Sequence, residues 1–208
     1  AFGLGLNTCT AIRTKYFWYL IWFLPLGGVF IWFIYHQFGK SVANGMKMVF
    51  HVGLGKNTKL PIRMVPLSVI GTWTTHLFGG SAGREGVAVQ IGAAVSNNIG
   101  RLVDKTIDIE NSRKMFLITG MAAGFSGLFC TPLAAIFFAL EVLVAGKLEY
   151  HALIPATVAS ISAAFTSRAL GLRKFHINIL ETLNYHPSTY NAILLLKLAA
   201  MGLVFGIV

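Results

Sequence analysis

Acidic side chains are scarce in this chain: seven among 208 residues, against seventeen Lys and Arg. Charges of both signs make up 12%, where a soluble domain carries about a quarter. Hydrophobic residues make up 55% and the mean hydropathy is +0.69. An ordinary soluble globule is excluded, and the composition is that of a bilayer-resident chain. Cysteine is nearly absent. Cys9 and Cys130 are far apart in apolar surroundings and read as small buried hydrophobes. The six histidines (His36, His51, His76, His151, His176, His186) show no ligand spacing, so neither a metal site nor a cofactor is supported. No nucleophile–base pair points to an enzyme. A signal peptide is also missing: the chain opens with Ala1-Phe2-Gly3-Leu4 as if in mid-helix and closes inside an apolar run at Val208. Both ends read as cuts in a longer protein.

The formal charge of +10 does not imply nucleic acid, because the basic residues are scattered, many of them in connections (Arg13, Lys15, Lys56, Lys59, Arg63, Arg113, Lys114, Arg173, Lys174). That distribution fits loops facing anionic headgroups, or a positive field that attracts anions. Of the acids, Asp104, Asp108, Glu110, Glu149 and Glu181 fall in polar connections, whereas Glu85 and Glu141 sit against or inside apolar runs. An ionisable group at membrane depth is a functional hypothesis by default.

Apolar runs and breakers predict helices at about 1–12, 16–36, 45–54, 62–78, 85–102, 112–128, 132–146, 151–169 and 190–208. The run 16–35 is long enough to cross the hydrocarbon and carries Trp and Tyr near both interfaces. Several others are too short to span and are interrupted by Gly or Pro. Broken helices of that kind have to be buried in protein or line a wet cavity, and their meeting point is the usual pointer to a transport site. Gly120-Met121-Ala122-Ala123-Gly124 and the stretch 156–164 offer small faces for close helix packing.

Three constellations carry chemistry. In Gly83-Arg84-Glu85-Gly86 a helix starts at about Glu85, so unpaired N–H groups and a positive dipole end are available to an anion. A glutamate there occupies the anion position as a tethered carboxylate and leaves it on protonation, which couples anion passage to proton movement. The bland alternative is a glutamate that merely satisfies a helix end. Second, Ala43-Asn44-Gly45-Met46 precedes another short segment and is expected to present a second helix N-terminus to the same cavity, with Asn44 as its cap, although Asn-Gly is also ordinary turn chemistry. Third, Thr131 and Pro132 start the helix that carries Glu141; a hydrogen-bonding role near that helix's end is expected of Glu141.

These residues resemble the CLC family of anion channels and anion/proton antiporters. Gly83-Arg84-Glu85-Gly86-Val87 looks like the family's GREGP motif, and the region from Gly124 to Glu141 is similar to its internal proton-handling helix. The resemblance implies an all-α polytopic membrane protein with the CLC inverted-repeat fold: residues 1–187 as the first repeat and 188–208 as the opening helix of the second, in a homodimer with one pore per subunit. Three departures stand out. Ala43-Asn44-Gly45-Met46-Lys47 replaces the family's GSGIP, Val87 replaces the proline of GREGP, and Val142 stands where chloride antiporters carry an internal glutamate. The loss of that glutamate alone would imply a channel, since channel members also lack it; the loss of the serine motif and of the proline together instead resembles the fluoride-selective bacterial branch. That implies fluoride export against proton import across a bacterial plasma membrane, with Glu85 as gate and proton carrier. The anion path is then drawn from Asn44, Gly45, Met46, Gly86 and Val87, with Arg84 as electrostatic support. Fluoride, or chloride in the rival reading, and protons are the implied partners beside the lipid bilayer. The rivals are a CLC chloride channel or chloride/proton antiporter, and a non-transporting membrane scaffold.

Overall fold

The computed structural model describes residues 2–56, 59–103, 112–144, 146–172 and 192–207, and among these every regular element is helical. The helices are α1 (Phe2–Lys15), α2 (Phe17–Leu20), α3 (Leu24–Phe38), α4 (Met46–Gly53), α5 (Met64–Leu77), α6 (Glu85–Val103), α7 (Ser112–Phe129), α8 (Pro132–Glu141), α9 (Leu153–Ala169) and α10 (Ala192–Ile207). Single 3₁₀ turns at Ile21–Phe23 and Tyr150–Ala152 lead into α3 and α9. The chain forms two compact units, 1–174 and 175–208. The expected repeat boundary at 187/188 falls outside the described residues.

The stretch Phe17–Phe38 is apolar enough to cross a membrane, with a mean hydropathy of 1.9 over 22 residues. It is not one uniform helix. Pro25 lies in the first turn of α3 and has no N–H to give to the carbonyl four residues back, so the chain tightens to a 3₁₀ turn just before it. Its large side chains point away from the protein: Trp18, Tyr19, Trp22 and Trp32 are all exposed. In a chain of this composition that is a lipid-facing surface.

The core lies between α4, α6, α7 and α8, where Val49, Val89, Leu117, Ile118, Met121 and Leu140 are buried. α6 and α7 touch backbone to backbone. A methyl group on Gly92 would overlap the Gly120 carbonyl, and one on Gly124 would overlap the Ala88 carbonyl. Hydroxyls join the next layer: Ser126 of α7 donates to the Ser160 carbonyl of α9 at 2.7 Å, and Ser160 donates to the Pro132 carbonyl at 2.9 Å. The small faces read from 120–124 and 156–164 are therefore packing faces, with Ala156, Ser160 and Ala164 buried along α9.

α8 stops at Glu141, five residues short of the expected end. Gly146 adopts φ 76° and its N–H donates to Glu141 Oε1 at 3.2 Å, closing the chain into a turn. Glu141 thus holds a turn, as expected of it. At the other end of α8, Thr131 is the N-cap by position and Pro132 opens the helix, but the Thr131 hydroxyl makes no capping bond. The link from α7 is Cys130, buried at φ 54°, a left-handed conformation that costs a non-glycine residue about 1–2 kcal/mol.

Candidate functional site at two helix N-termini

α4, of 8 residues, and α6, of 19, both begin at a glycine-containing break, and their starts lie side by side. A Cβ on Gly86 would stand 3.9 Å from Met46 Cγ, so the first turns of the two helices are in contact. Each turn leaves donors free. In α6 the first backbone bond runs from the Ala88 N–H to the Arg84 carbonyl. Among the described residues no acceptor meets the N–H groups of Glu85, Gly86 and Val87. In α4 the Lys47 and Met48 N–H groups bond to the Asn44 and Gly45 carbonyls, leaving that of Met46. Two positive helix ends thus converge, a ready anion-binding arrangement.

The turn into α4 needs glycine. Gly45 has φ 49° and ψ −125°, outside the range that L side chains tolerate. Gly45 is also the N-cap, which corrects the expectation for Asn44: its side chain is exposed and makes no capping bond, while its carbonyl accepts from Lys47. With no Cβ the glycine lets the chain reverse into the helix by backbone geometry alone, so a capping side chain is superfluous.

Glu85 is the first residue of α6 and is exposed. Its Oε2 lies 3.3 Å from the point where a Cβ would stand on Gly83, so the carboxylate folds back over that glycine. Arg84 is half-buried, and none of the ion pairs found among the described residues joins it to Glu85. Val87, Gly83 and Gly45 line a cavity of about 390 Å³ together with Tyr35, Ser68, Thr72, Thr75 and Gln90. Of the residues expected from the sequence, the structure therefore brings Gly45, Met46, Gly86 and Val87 together, with Glu85 at the rim. Asn44 and Arg84 contribute backbone.

Sequence reasoning missed the polar wall of this cavity. The buried Ser68 hydroxyl donates to Gln90 Oε1 at 3.3 Å, and the Thr72 and Thr75 hydroxyls donate back along α5 to the Ser68 and Gly71 carbonyls at 2.7 and 2.8 Å. One signal was available: Gln90 lies one helical turn beyond Gly86, and an uncharged polar side chain inside an apolar helix is rare enough to ask what it faces.

Among the described residues the acid that is buried is not one of the two expected. Glu149 is almost fully enclosed, with Lys114 Nζ 2.6 Å from its Oε1 and His151 Nδ1 3.6 Å from its Oε2. The Lys114 hydrogen bond, helped by the charges of Lys114, Lys147 and His151, holds its carboxyl below the usual range against the opposing effect of burial. Among the described residues no cluster of His, Cys, Asp and Glu is suited to a metal.

Membrane composition, short broken helices and paired helix N-termini over a polar cavity define an integral membrane protein of the transporter or channel class. The chain belongs to the voltage-gated chloride channel family, CLC, whose model matches residues 27–208. It is 36% identical over 206 residues to a chloride/fluoride channel protein of Pseudomonas syringae pv. tomato, covering 99% of this chain and 44% of that protein. An H(+)/Cl(-) exchange transporter of Salmonella newport is 32% identical over 153 residues, 70% of this chain and 30% of that protein. A crystal structure of a CLC-type fluoride/proton antiporter superposes with a TM-score of 0.84 at 44% identity, covering 99% of this chain and 50% of that one. The chain spans half or less of the length of these relatives.

Proposed function

We propose that this chain is the first half of a CLC-type fluoride/proton antiporter that exports fluoride in exchange for protons across a bacterial plasma membrane, which it crosses several times. The observation that carries the reading is the convergence of the α4 and α6 N-termini, with Met46 against Gly86 and the Glu85 carboxylate at the rim. Glu85 is the gate and the proton carrier: as a carboxylate it competes with the anion for the free N–H groups, and protonated it releases them. Gly45, Met46, Gly86 and Val87 form this half's share of the anion path, flanked by Asn44, with Arg84 as electrostatic support. Residues 1–187 constitute the first repeat and 188–208 open the second. Pairing with a second copy is the assembly that membership of the CLC family suggests. The names of the Pseudomonas relative and of the superposed antiporter support fluoride as the anion; that of the Salmonella exchanger supports chloride as the rival.

The test uses the full-length protein in liposomes. Fluoride efflux accompanied by proton uptake, both lost in Glu85→Gln, is the expected result. Chloride efflux as fast as fluoride efflux would return the protein to the chloride-handling reading.

A further inference from the structure

The cavity beside the two helix ends is lined by polar groups of unequal kind. An anion needs donors, and the Ser and Thr hydroxyls of this wall are spent, while the Tyr35 hydroxyl makes no hydrogen bond among the described residues and stays a second donor of the lining. Each Ser or Thr hydroxyl has one hydrogen to give. Thr72 gives its hydrogen to the Ser68 carbonyl, Thr75 to the Gly71 carbonyl, and Ser68 to Gln90 Oε1. What these three turn toward the cavity is therefore lone pairs, which repel an anion. Gln90 is the opposite case. Its carbonyl end is held by Ser68, which turns the amide nitrogen the other way, and Nε2 lies 3.4 Å from the point where a Cβ would stand on Gly45. No group among the described residues accepts from that nitrogen. The wall thus carries a fixed N–H₂ donor at the turn that opens α4, one turn along α6 from the free N–H groups of Gly86 and Val87.

We propose that Gln90, oriented by Ser68, is a specificity-determining donor of the anion path, which it lines beside Gly45; the proposal rests on the anion-transport reading above. A fixed neutral amide replaces one of the hydrogen bonds that an anion gives up with its water, and a small anion of high basicity, which loses the strongest such bonds, depends on that replacement more than a large diffuse one. It carries no charge of its own, so it does not trap the anion as a lysine would.

The experiment measures initial fluoride and chloride efflux and protons moved per anion, in liposomes holding the full-length protein. Gln90→Leu keeps the bulk and removes the donor. It is expected to lower fluoride efflux about tenfold, the effect of one hydrogen bond to a charged group. Chloride efflux falls less, and the protons moved per anion stay as in the wild type, since Glu85 is intact. Ser68→Ala leaves Gln90 in place but frees its amide to turn, and is expected to lower the fluoride-to-chloride ratio by a smaller factor. It serves as the test should Gln90→Leu fail to fold. An unchanged fluoride-to-chloride ratio in the folded variants would overturn the proposal. Should the wild type carry chloride and not fluoride, the fluoride reading fails separately. Gln90 is then judged on the chloride rate: a drop in Gln90→Leu supports it and an unchanged rate overturns it.

Discussion

Gly92 and Gly120 face each other with nothing between their backbones, and this contact sets the distance between α6 and α7. A methyl on either would overlap the carbonyl of the other, and Gly124 repeats the arrangement one turn along against Ala88. Backbone cannot yield as a side chain does. Gly120→Val is therefore expected to destabilise the protein by about 3 kcal/mol or more. A large fall in melting temperature in detergent would show it; a value within a degree of wild type would mean that α6 and α7 separate at little cost.

The contact matters for function because α6 carries Glu85 at one end and Gln90 one turn in. Pushing α6 away from α7 moves both. Small residues at 120 and 124 were readable as a packing face from spacing alone, since residues four apart share a helix face. Their partners on α6 were not, because nothing local in 85–103 marks Gly92 as the matching hollow.

The buried pair of Lys114 and Glu149 gives a second test. Glu149 is enclosed and Lys114 keeps partial contact with solvent, so Glu149→Gln leaves a partly solvated ammonium without its counter-charge and is expected to cost about 2 kcal/mol. The double replacement Lys114→Met with Glu149→Leu should restore most of that, as apolar isosteres of buried pairs commonly do. A double variant as unstable as the single one would show that the pair is needed for more than mutual neutralisation.

The same pair fixes a pH dependence. The Glu149 carboxyl is held below its ordinary value in the folded protein, chiefly by the Lys114 hydrogen bond. A depressed acid contributes stability that is complete above the unfolded pKa of about 4.3 and is lost as pH falls through the lower folded value. Melting temperature should therefore be insensitive to this group above about pH 5 and fall below about pH 4. In the double variant this acid-side fall should be smaller. An equal fall in both proteins would assign the acid sensitivity to other carboxylates.

What the sequence made legible was local. Helix starts at Gly45 and Glu85 follow from glycine breaks before apolar runs, and the Pro132 start follows from proline's fixed φ and missing N–H. What it concealed was tertiary. Glu149 looked like a loop acid because Lys114 is 35 residues away, and Ser68 meets Gln90 across 22. Asn44 looked like a cap because its side chain is suited to capping, yet the backbone at Gly45 had already made the turn.

Two glycines of the site separate conformational from steric demand, and they predict opposite outcomes for the same substitution. At Gly45 an added Cβ meets only the Gln90 amide at an ordinary 3.4 Å, but φ is 49° with ψ −125°. Gly45→Ala is thus strained by backbone conformation and is expected to cost about 2 kcal/mol, with the start of α4 displaced. At Gly83 the backbone is ordinary, and the obstacle is Glu85 Oε2 at 3.3 Å. That oxygen ends a flexible, exposed side chain, so Gly83→Ala should leave the melting temperature within a degree or two of wild type while moving the carboxylate off its resting place. If Glu85 gates the anion path, the second variant changes the pH dependence of fluoride efflux in the full-length protein with folding intact. Gly45→Ala loses stability and efflux together. A Gly83→Ala protein that transports with the wild-type pH profile would mean that the folded-back position of Glu85 has no part in gating.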